Sequence, residues 1–228
     1  MIDMPSRFSA THPYPYEVDG YNNGVIHFKG IICIHLIMII VSIDIGVINM
    51  GITKAFVDDD FNIIFMDAFK VDITRIRHNT VQACDCIIPH TNEVCDRVAH
   101  FIQEHEPLFD EADHVLIERQ PPMGIKDVES LIMSRFRNKT KLISPNKMHK
   151  FFNIGKLSYD QRKLFTEEVA DIHIGHIHTY YNCTRRHDMA DACCICLFFI
   201  NSLKREHEKN ERRENIKRLP FDEYRFTS

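Results

Sequence analysis

The sequence predicts an α/β fold in which a mixed central β-sheet is flanked by helices. An apolar, β-branched run at 38–45 predicts a buried strand. Two more apolar segments surround the acidic turn DDDFN, which predicts a hairpin. Beyond residue 90, helical and extended patterns alternate, as is typical of a sheet with helices packed on its faces.

The expected order is three strands, helix, strand, helix, strand, helix, helix. After the strand at 38–45, the predicted strands are GITKAFVD, NIIFMDAFKVD, ADHVLIE and KLISP. The predicted helices are 91–106, with Thr91 or Asn92 as N-cap, then KDVESLIMSRFR, YDQRKLFTEEVADIHI and HDMADACCICLFFINSL.

The chain divides into three predicted parts. Residues 1–37 combine Pro, Tyr and Gly turn chemistry without periodicity, so we expect a poorly ordered, dispensable extension. The folded domain is expected at 38–203. A charged C-terminal tail, 204–228, shows no buried face, and its mixed charges favour a solvated helix over a binding arm.

Composition narrows the functional classes. The 228 residues are 44% hydrophobic and 26% charged, with a net charge of -4, so any nucleic-acid surface must be local. Eight cysteines in a chain with ample apolar content predict free thiols in a reducing intracellular compartment. The apolar run 30–47 contains His35 and Asp44, so no membrane span is expected.

Four acids stand at the ends of predicted elements. Asp44 ends the first strand, Glu118 ends the fourth, and Asp188 and Asp191 open the last long helix at i, i+3 spacing. Mg²⁺ is bound by carboxylates together with substrate phosphate, and two such ions can hold a phosphodiester for in-line attack by water. Helix capping is the simpler explanation for Asp188, and dipole stabilisation for Asp191.

The motifs SIDIGVINMGI, VLIERQPP, LISPNK, SYDQRK and RRHDMADA occur in the order found in a known enzyme family. They resemble the motifs of Holliday junction resolvases from poxviruses and other large DNA viruses, RuvC-like members of the RNase H-like superfamily. The resemblance runs from about Met38 to Asn201. It implies the RNase H-like fold and a role in viral DNA recombination and replication, at the site of viral DNA synthesis in the host cell.

The resemblance also implies a site. Asp44, Glu118, Asp188 and Asp191 would be catalytic metal ligands for Mg²⁺, with Mn²⁺ as a substitute and two ions per site. Lys163 falls where the viral family carries a functional Lys. The family acts as homodimers on four-way DNA junctions. Ile48 departs from the family pattern, which often has Lys there.

A local excess of bases lies between residues 135 and 163, and such a surface suits DNA phosphates. Asn49 matches a polar family position after the first strand and joins the predicted DNA contacts. The basic residues predicted to contact DNA are Arg135, Arg137, Lys139, Lys147, Lys150, Lys156 and Arg162. An ordinary solvated basic face is the alternative.

Other readings stay open at the sequence level. A non-cleaving protein of the same fold that binds branched DNA is the main alternative. A phosphotransferase of the actin and sugar-kinase superfamily would need a second Gly-rich loop that is not found. The His- and Cys-rich stretch 173–196 lacks the spacing of a structural zinc site, so zinc is not expected.

Overall fold

A computed structural model describes residues 18–22, 25–28, 33–75 and 91–218. The strands are β1 (Val18–Asn22), β2 (Val25–Phe28), β3 (Cys33–Asp44), β4 (Met50–Asp58), β5 (Ile63–Val71), β6 (His114–Glu118) and β7 (Thr140–Ile143). The helices are α1 (Val94–Glu104), α2 (Glu106–Glu111), α3 (Lys126–Arg135), α4 (Pro145–Phe151), α5 (Tyr159–Ile174), α6 (His178–Tyr181) and α7 (His187–Arg218).

The long strand β3 organises the sheet. Its first residues pair with the β1–β2 hairpin, and its later residues pair with β4, which pairs in turn with β5, all antiparallel. On its other side β3 pairs with β6 in parallel, and β6 pairs in parallel with β7. The mixed α/β sheet that the sequence predicts is therefore confirmed.

Two apolar layers cover the sheet, because successive residues of each buried strand point to opposite faces. On one face Ile40 and Leu116 pack beneath α5 and the first half of α7. On the other face Val41 and Ile117 pack beneath α1 and α3. The strand β3, buried on both faces, is consequently apolar throughout its described side chains except at Ser42 and Asp44.

The structure differs from the predictions at several boundaries. β3 begins at Cys33 rather than at residue 38, and the hairpin of β1 and β2 lies within the segment expected to be poorly ordered. α1 begins at Val94 with Glu93 as N-cap and no side-chain cap, because Thr91 Oγ1 accepts the Glu93 N–H instead. α7 does not end near residue 203 but continues to Arg218, and its residues from 204 to 216 are exposed, as expected of a solvated helix.

Among the residues that the structure describes, none of the helices combines the length and the apolar character that a membrane span requires.

Candidate active site

The ends of β3 and β6 place Asp44 and Glu118 side by side. The strands are parallel neighbours, and Ile43 pairs with Ile117. The next residue of each strand therefore occupies the adjacent position at the same edge of the sheet.

Strand alternation directs both carboxylates toward α7. Ile43 and Ile117 belong to the layer beneath α1 and α3, so the residues after them point the opposite way. Ser42 has the same orientation as Asp44, because its hydroxyl donates to the Ala192 carbonyl of α7 at 2.8 Å.

The start of α7 approaches the sheet closely at Gly51, the β4 partner of Asp44. A Cβ atom on Gly51 would lie 2.0 Å from the Asp188 carbonyl oxygen, so only glycine permits this approach. The charge of Asp191, about one turn along α7, acts on both Asp44 and Glu118. The three acids thus come from three separate elements and meet at one edge of the sheet.

The electrostatics of the acid cluster show a shortage of positive charge. Burial raises the pKa of Asp44 well above its usual range, and the charges of Asp191 and then Glu118 raise it further. Burial also raises the pKa of Glu118, although its hydrogen bond with Asp44 opposes the rise. That bond raises the pKa of Asp44 and lowers that of Glu118.

Lys163 of α5 supplies the positive charge at the cluster. Its ammonium forms an ion pair with the Asp191 carboxylate and lies 5.5 Å from the centre of the Tyr159 ring. Burial alone would lower the pKa of Lys163, but Asp191 and then Asp44 outweigh burial and raise it. The side chain therefore stays protonated. A capping box at Ser158 begins α5 and fixes the turn that carries Lys163.

Asp188, the fourth predicted ligand, has different partners. Its Oδ2 lies 3.0 Å from Arg185 Nε, and its Oδ1 lies 3.6 Å from His187 Nε2. His187 Nδ1 is in turn 3.7 Å from Glu167 of α5. The structure thus brings together three of the four predicted acids with Lys163, whereas the buried Asp188 carboxylate contacts Arg185 and His187 at the start of α7.

The segment after β6 holds Glu118 from the other side. Gln120 Nε2 donates to Glu118 Oε2 at 3.5 Å. The Gln120 backbone N–H donates to Glu129, a carboxylate of α3 with only 6% of its side chain exposed, which also binds Lys126 at 2.8 Å. The sequence analysis missed Glu129, because an acid between Val128 and Ser130 near the start of a helix gives no sign that it is buried.

His149 of α4 is a second residue that the sequence reasoning missed. Burial lowers its pKa, Arg162 and Lys163 lower it too, and Asp191 acts in the opposite direction. The half-buried imidazole therefore lies near the acid cluster, on a helix that carries two exposed lysines, Lys147 and Lys150. Within the predicted basic stretch this His gave no sequence signal.

The predicted DNA contacts occupy several environments. Arg137, Lys147, Lys150 and Lys156 are exposed, and Asn49 is half-buried after the turn that follows Asp44. Lys139 donates to the carbonyls of Phe109 and Asp110, Arg162 donates to the Leu157 carbonyl at 2.8 Å, and Arg135 lies 3.6 Å from Glu106. Lys139 and Arg162 therefore already bond to the protein backbone.

The His- and Cys-rich stretch contributes to the core. Cys193, Cys194 and Cys196 are fully buried on α7, and the His173 ring packs 6.1 Å from the Phe65 ring. Burial raises the pKa of all three thiols, which stay protonated. In the described part of the chain, no three His, Cys, Asp or Glu side chains form a group that could hold a metal ion on its own.

The chain matches no protein-family model and no curated protein sequence. Similar solved structures do exist. The structure of the yeast mitochondrial Holliday junction resolvase aligns with a TM-score of 0.56 at 18% identity, covering 77% of this chain and 85% of that one. The fowlpox virus Holliday junction resolvase aligns with a TM-score of 0.51 at 21% identity, covering 72% of this chain and 99% of that one.

A second fowlpox structure shows the resolvase in complex with substrate Holliday junction DNA. It also aligns with a TM-score of 0.51, at 23% identity, covering 73% of this chain and 99% of that one. This chain has three antiparallel strands followed by two parallel ones, flanked by helices on both faces. The chain therefore has the RNase H-like fold of these resolvases, as the sequence predicts.

Proposed function

We propose that this chain is a metal-dependent, structure-specific endonuclease that resolves four-way DNA junctions by hydrolysing paired phosphodiester bonds. The convergence of Asp44, Glu118 and Asp191 next to Lys163 carries this proposal. The likeness to the fowlpox resolvase, which has been solved with junction DNA, supports the choice of substrate.

The carboxylates of the acid cluster are suited to bind a divalent cation. Burial and mutual repulsion raise the pKa of Asp44 and Glu118, and a bound cation would relieve both effects. Mg²⁺ is usually held by one or two carboxylates together with water and substrate phosphate, rather than by an all-protein cage. The absence of a complete three-ligand group in the described residues is consistent with that mode.

Asp44, Glu118 and Asp191 would hold the ions, with the Asp188 carboxylate available if it releases Arg185. Mg²⁺, or Mn²⁺ in its place, would supply Lewis acidity and an activated water at neutral pH, with two ions per site in the proposed mechanism. The Lys163 ammonium would offset the negative charge that develops on the phosphate in the transition state.

The substrate surface is proposed to extend from the acids across α4. Lys147 and Lys150 are exposed there, on the helix that carries His149 toward the cluster. Paired cleavage of two opposed strands requires two active sites, so we propose a homodimer. Action in viral DNA recombination or replication, within a reducing compartment of the host cell, remains a proposal.

A cleavage assay tests the function. Purified protein is mixed with a labelled four-way junction or a linear duplex of the same sequence, with and without Mg²⁺. We expect symmetric nicks in the junction only, and only with the metal. Asp44→Asn, Glu118→Gln and Asp191→Asn should each lower the rate by at least about 100-fold, since an interaction made in the transition state is lost.

Matched variants make the outcome specific. Glu168→Gln removes an exposed acid from α5 and should cleave like the wild type. Lys163→Met should lower the rate, and Lys163→Arg should restore part of it. Normal nicking by the three carboxylate variants would refute the site assignment. Junction binding without cleavage in Mg²⁺ or Mn²⁺ would favour the non-cleaving alternative.

A further inference from the structure

The C-terminal half of α7 extends beyond the apolar layers as a solvent-exposed helix. Every residue from 204 to 216 is exposed. Helix formers such as Lys, Arg and Glu dominate this segment, which explains why the helix continues without a buried face. The segment lies outside the acid cluster and has no part in the mechanism described above.

Four of the five Lys and Arg residues between 204 and 216 lie on one side of the helix. Each residue of an α-helix is rotated by about 100° about the helix axis relative to the one before it. Measured about this axis from Arg205, Lys209 lies at about 40°, Arg212 at about -20° and Arg213 at about 80°. The four cations thus share an arc of about 100° that contains no acid. We call these four residues, Arg205, Lys209, Arg212 and Arg213, the basic stripe.

The acids occupy the remaining surface of the segment. By the same arithmetic Glu208 and Glu206 flank the stripe, and Glu211 lies about 120° away from Arg205. The contact between His207 Nε2 and Glu211 Oε1, at 3.3 Å, is on the side away from the stripe. Within the stripe, like charges recur at i, i+3 and i, i+4, where they repel one another, and the two flanking acids offset only part of the charge of the four cations.

The basic stripe begins where α4 ends. The Arg205 guanidinium lies over the ring of Phe151, the last residue of α4, at 5.4 Å from its centre. Exposed Lys147 and Lys150 belong to the same helix. The stripe therefore continues the basic surface of α4 away from the acid cluster.

The dimensions of the basic stripe match a DNA backbone. From Arg205 to Arg213 it extends about 12 Å at about 1.5 Å per residue. One DNA strand presents a phosphate about every 3.4 Å of helix axis, so the stripe faces three or four phosphates. Along α7, Arg205 lies about 21 Å from Asp191, equivalent to about six base pairs of duplex.

We propose that the basic stripe binds the phosphate backbone of a duplex arm of the junction, at a distance from the cleaved bond. The inference rests on the proposed function, which it deepens by adding a second area of substrate contact. Phosphate charges would relieve the repulsion within the stripe. Ile216, 68% exposed in the same arc, would lie at the outer end of this surface.

Binding measurements without divalent metal test the proposal. The variant Lys209→Gln/Arg212→Gln/Arg213→Gln is compared with the wild type on hairpin-closed junctions with arms of about 6 or about 20 base pairs, lengths chosen from the 3.4 Å spacing. We expect weaker binding of the variant to the long-arm junction by at least about tenfold. The dependence of the association constant on salt should also weaken. The slope of log K against log salt should become less steep by about 2 to 3, since each lost phosphate contact reduces its magnitude by about 0.9.

The controls distinguish binding by the stripe from a general effect of lost positive charge. They also distinguish failure of this proposal from failure of the proposed endonuclease function. Lys204→Gln removes one charge outside the stripe and should bind like the wild type, whereas Arg212→Gln alone should lower the salt slope by about 1. Equal binding of wild type and triple variant to the long-arm junction, with an unchanged melting temperature, would overturn the stripe while leaving the endonuclease intact.

The same preparations distinguish other partners. If the triple variant keeps its junction affinity but loses co-sedimentation with phosphatidylserine vesicles, the stripe is a membrane-binding surface and the DNA proposal is wrong. If the wild type binds no junction at all, the proposed function fails together with the stripe. A loss of affinity confined to the long arms is the only outcome that supports the proposal.

Discussion

At the scale of single residues, the acids of the cluster oppose the stability of the free protein. Asp44 lies half-buried beside two other carboxylates, and among the described residues Lys163 is the cation whose charge lowers its pKa. The pKa of Asp44 is higher in the folded protein than in the unfolded chain, so between these two pKa values the folded protein binds more protons. The free energy of unfolding therefore falls as the pH rises from the unfolded pKa of Asp44 through its folded pKa.

Asp44→Asn is expected to stabilise the free protein at pH 8, by about 1 kcal/mol, a common gain when a strained functional group is removed. The Asn amide keeps a donor for Glu118 without ionising. The gain should shrink as the pH falls toward 4, because Asp44 of the wild type is then protonated. Melting curves from pH 4 to 8 measure this difference. Asp59→Asn, in the exposed β4–β5 turn, should show no such trend.

The positions of Asp44 and Glu118 could be predicted from the sequence because each acid ends an apolar strand. The pairing partner of Asp188 could not. An i, i+3 spacing places Asp188 and Asp191 on one side of a helix, but the neighbours at the start of the helix decide whether the first carboxylate already has a partner. Arg185 and His187 do occupy it. In the same way, nothing local indicates that Glu129 supports the segment after Glu118.

At the scale of elements, the contact between β4 and α7 positions the cluster. Gly51 allows the first turn of α7 to touch the strand. The Ser42 hydroxyl lies 2.6 Å from the Thr53 hydroxyl. Because the Ser42 proton is donated to the Ala192 carbonyl, Thr53 is the donor in the bond between the two hydroxyls. These buried contacts fix the helix that carries Asp191 relative to the strand that carries Asp44.

Gly51→Ala should therefore lower cleavage by about 100-fold, the size of effect that follows from a displacement of about 1 Å in a catalytic group. Overpacking should also cost about 1–3 kcal/mol of stability. Cleavage rates and melting curves measure both effects. Gly155→Ala is the matched control, since its added Cβ meets nothing within 4 Å.

If Gly51→Ala does not fold, Ser42→Ala tests the same contact more gently, by removing the bond to Ala192 without adding volume. Cleavage at the wild-type rate by a folded Gly51→Ala protein would show that the close approach is not needed for activity.

Elements without an apolar period were the hardest to predict. The first strands lie among Pro and Gly residues, and turn chemistry there suggested an extension. The outer half of α7 has no buried face, so its boundary with the inner half cannot be read from an apolar period. Its high content of Lys, Arg and Glu, all good helix formers, supports the solvated helix that the mixed charges favour.

At the scale of the whole molecule, metal binding and folding are linked. A cation bound only by the folded protein stabilises it by about 1.4 kcal/mol when its concentration is about ten times the dissociation constant. For a chain of this size that corresponds to a rise of about 3–6 °C in melting temperature, at about 2–4 °C per kcal/mol.

Titration with Mg²⁺ should therefore raise the melting temperature of the wild type and have a smaller effect on Asp191→Asn. Addition of EDTA should reverse the rise. An equal rise in wild type, Asp191→Asn and Glu118→Gln would place the bound metal outside the acid cluster. A titration with Na⁺ at equal ionic strength controls for screening of surface charge.

The pairing of Ile43 with Ile117 also limits how the chain can vary in length. A single residue inserted into β3 just before Asp44 would turn the acid to the face of α1 and α3, away from Glu118, and a second inserted residue would turn it back. The same insertion at the start of α7 would rotate Asp191 by about 100°. Length changes in related chains should therefore be found in the connections, such as the segment between β5 and α1, and not in these two elements.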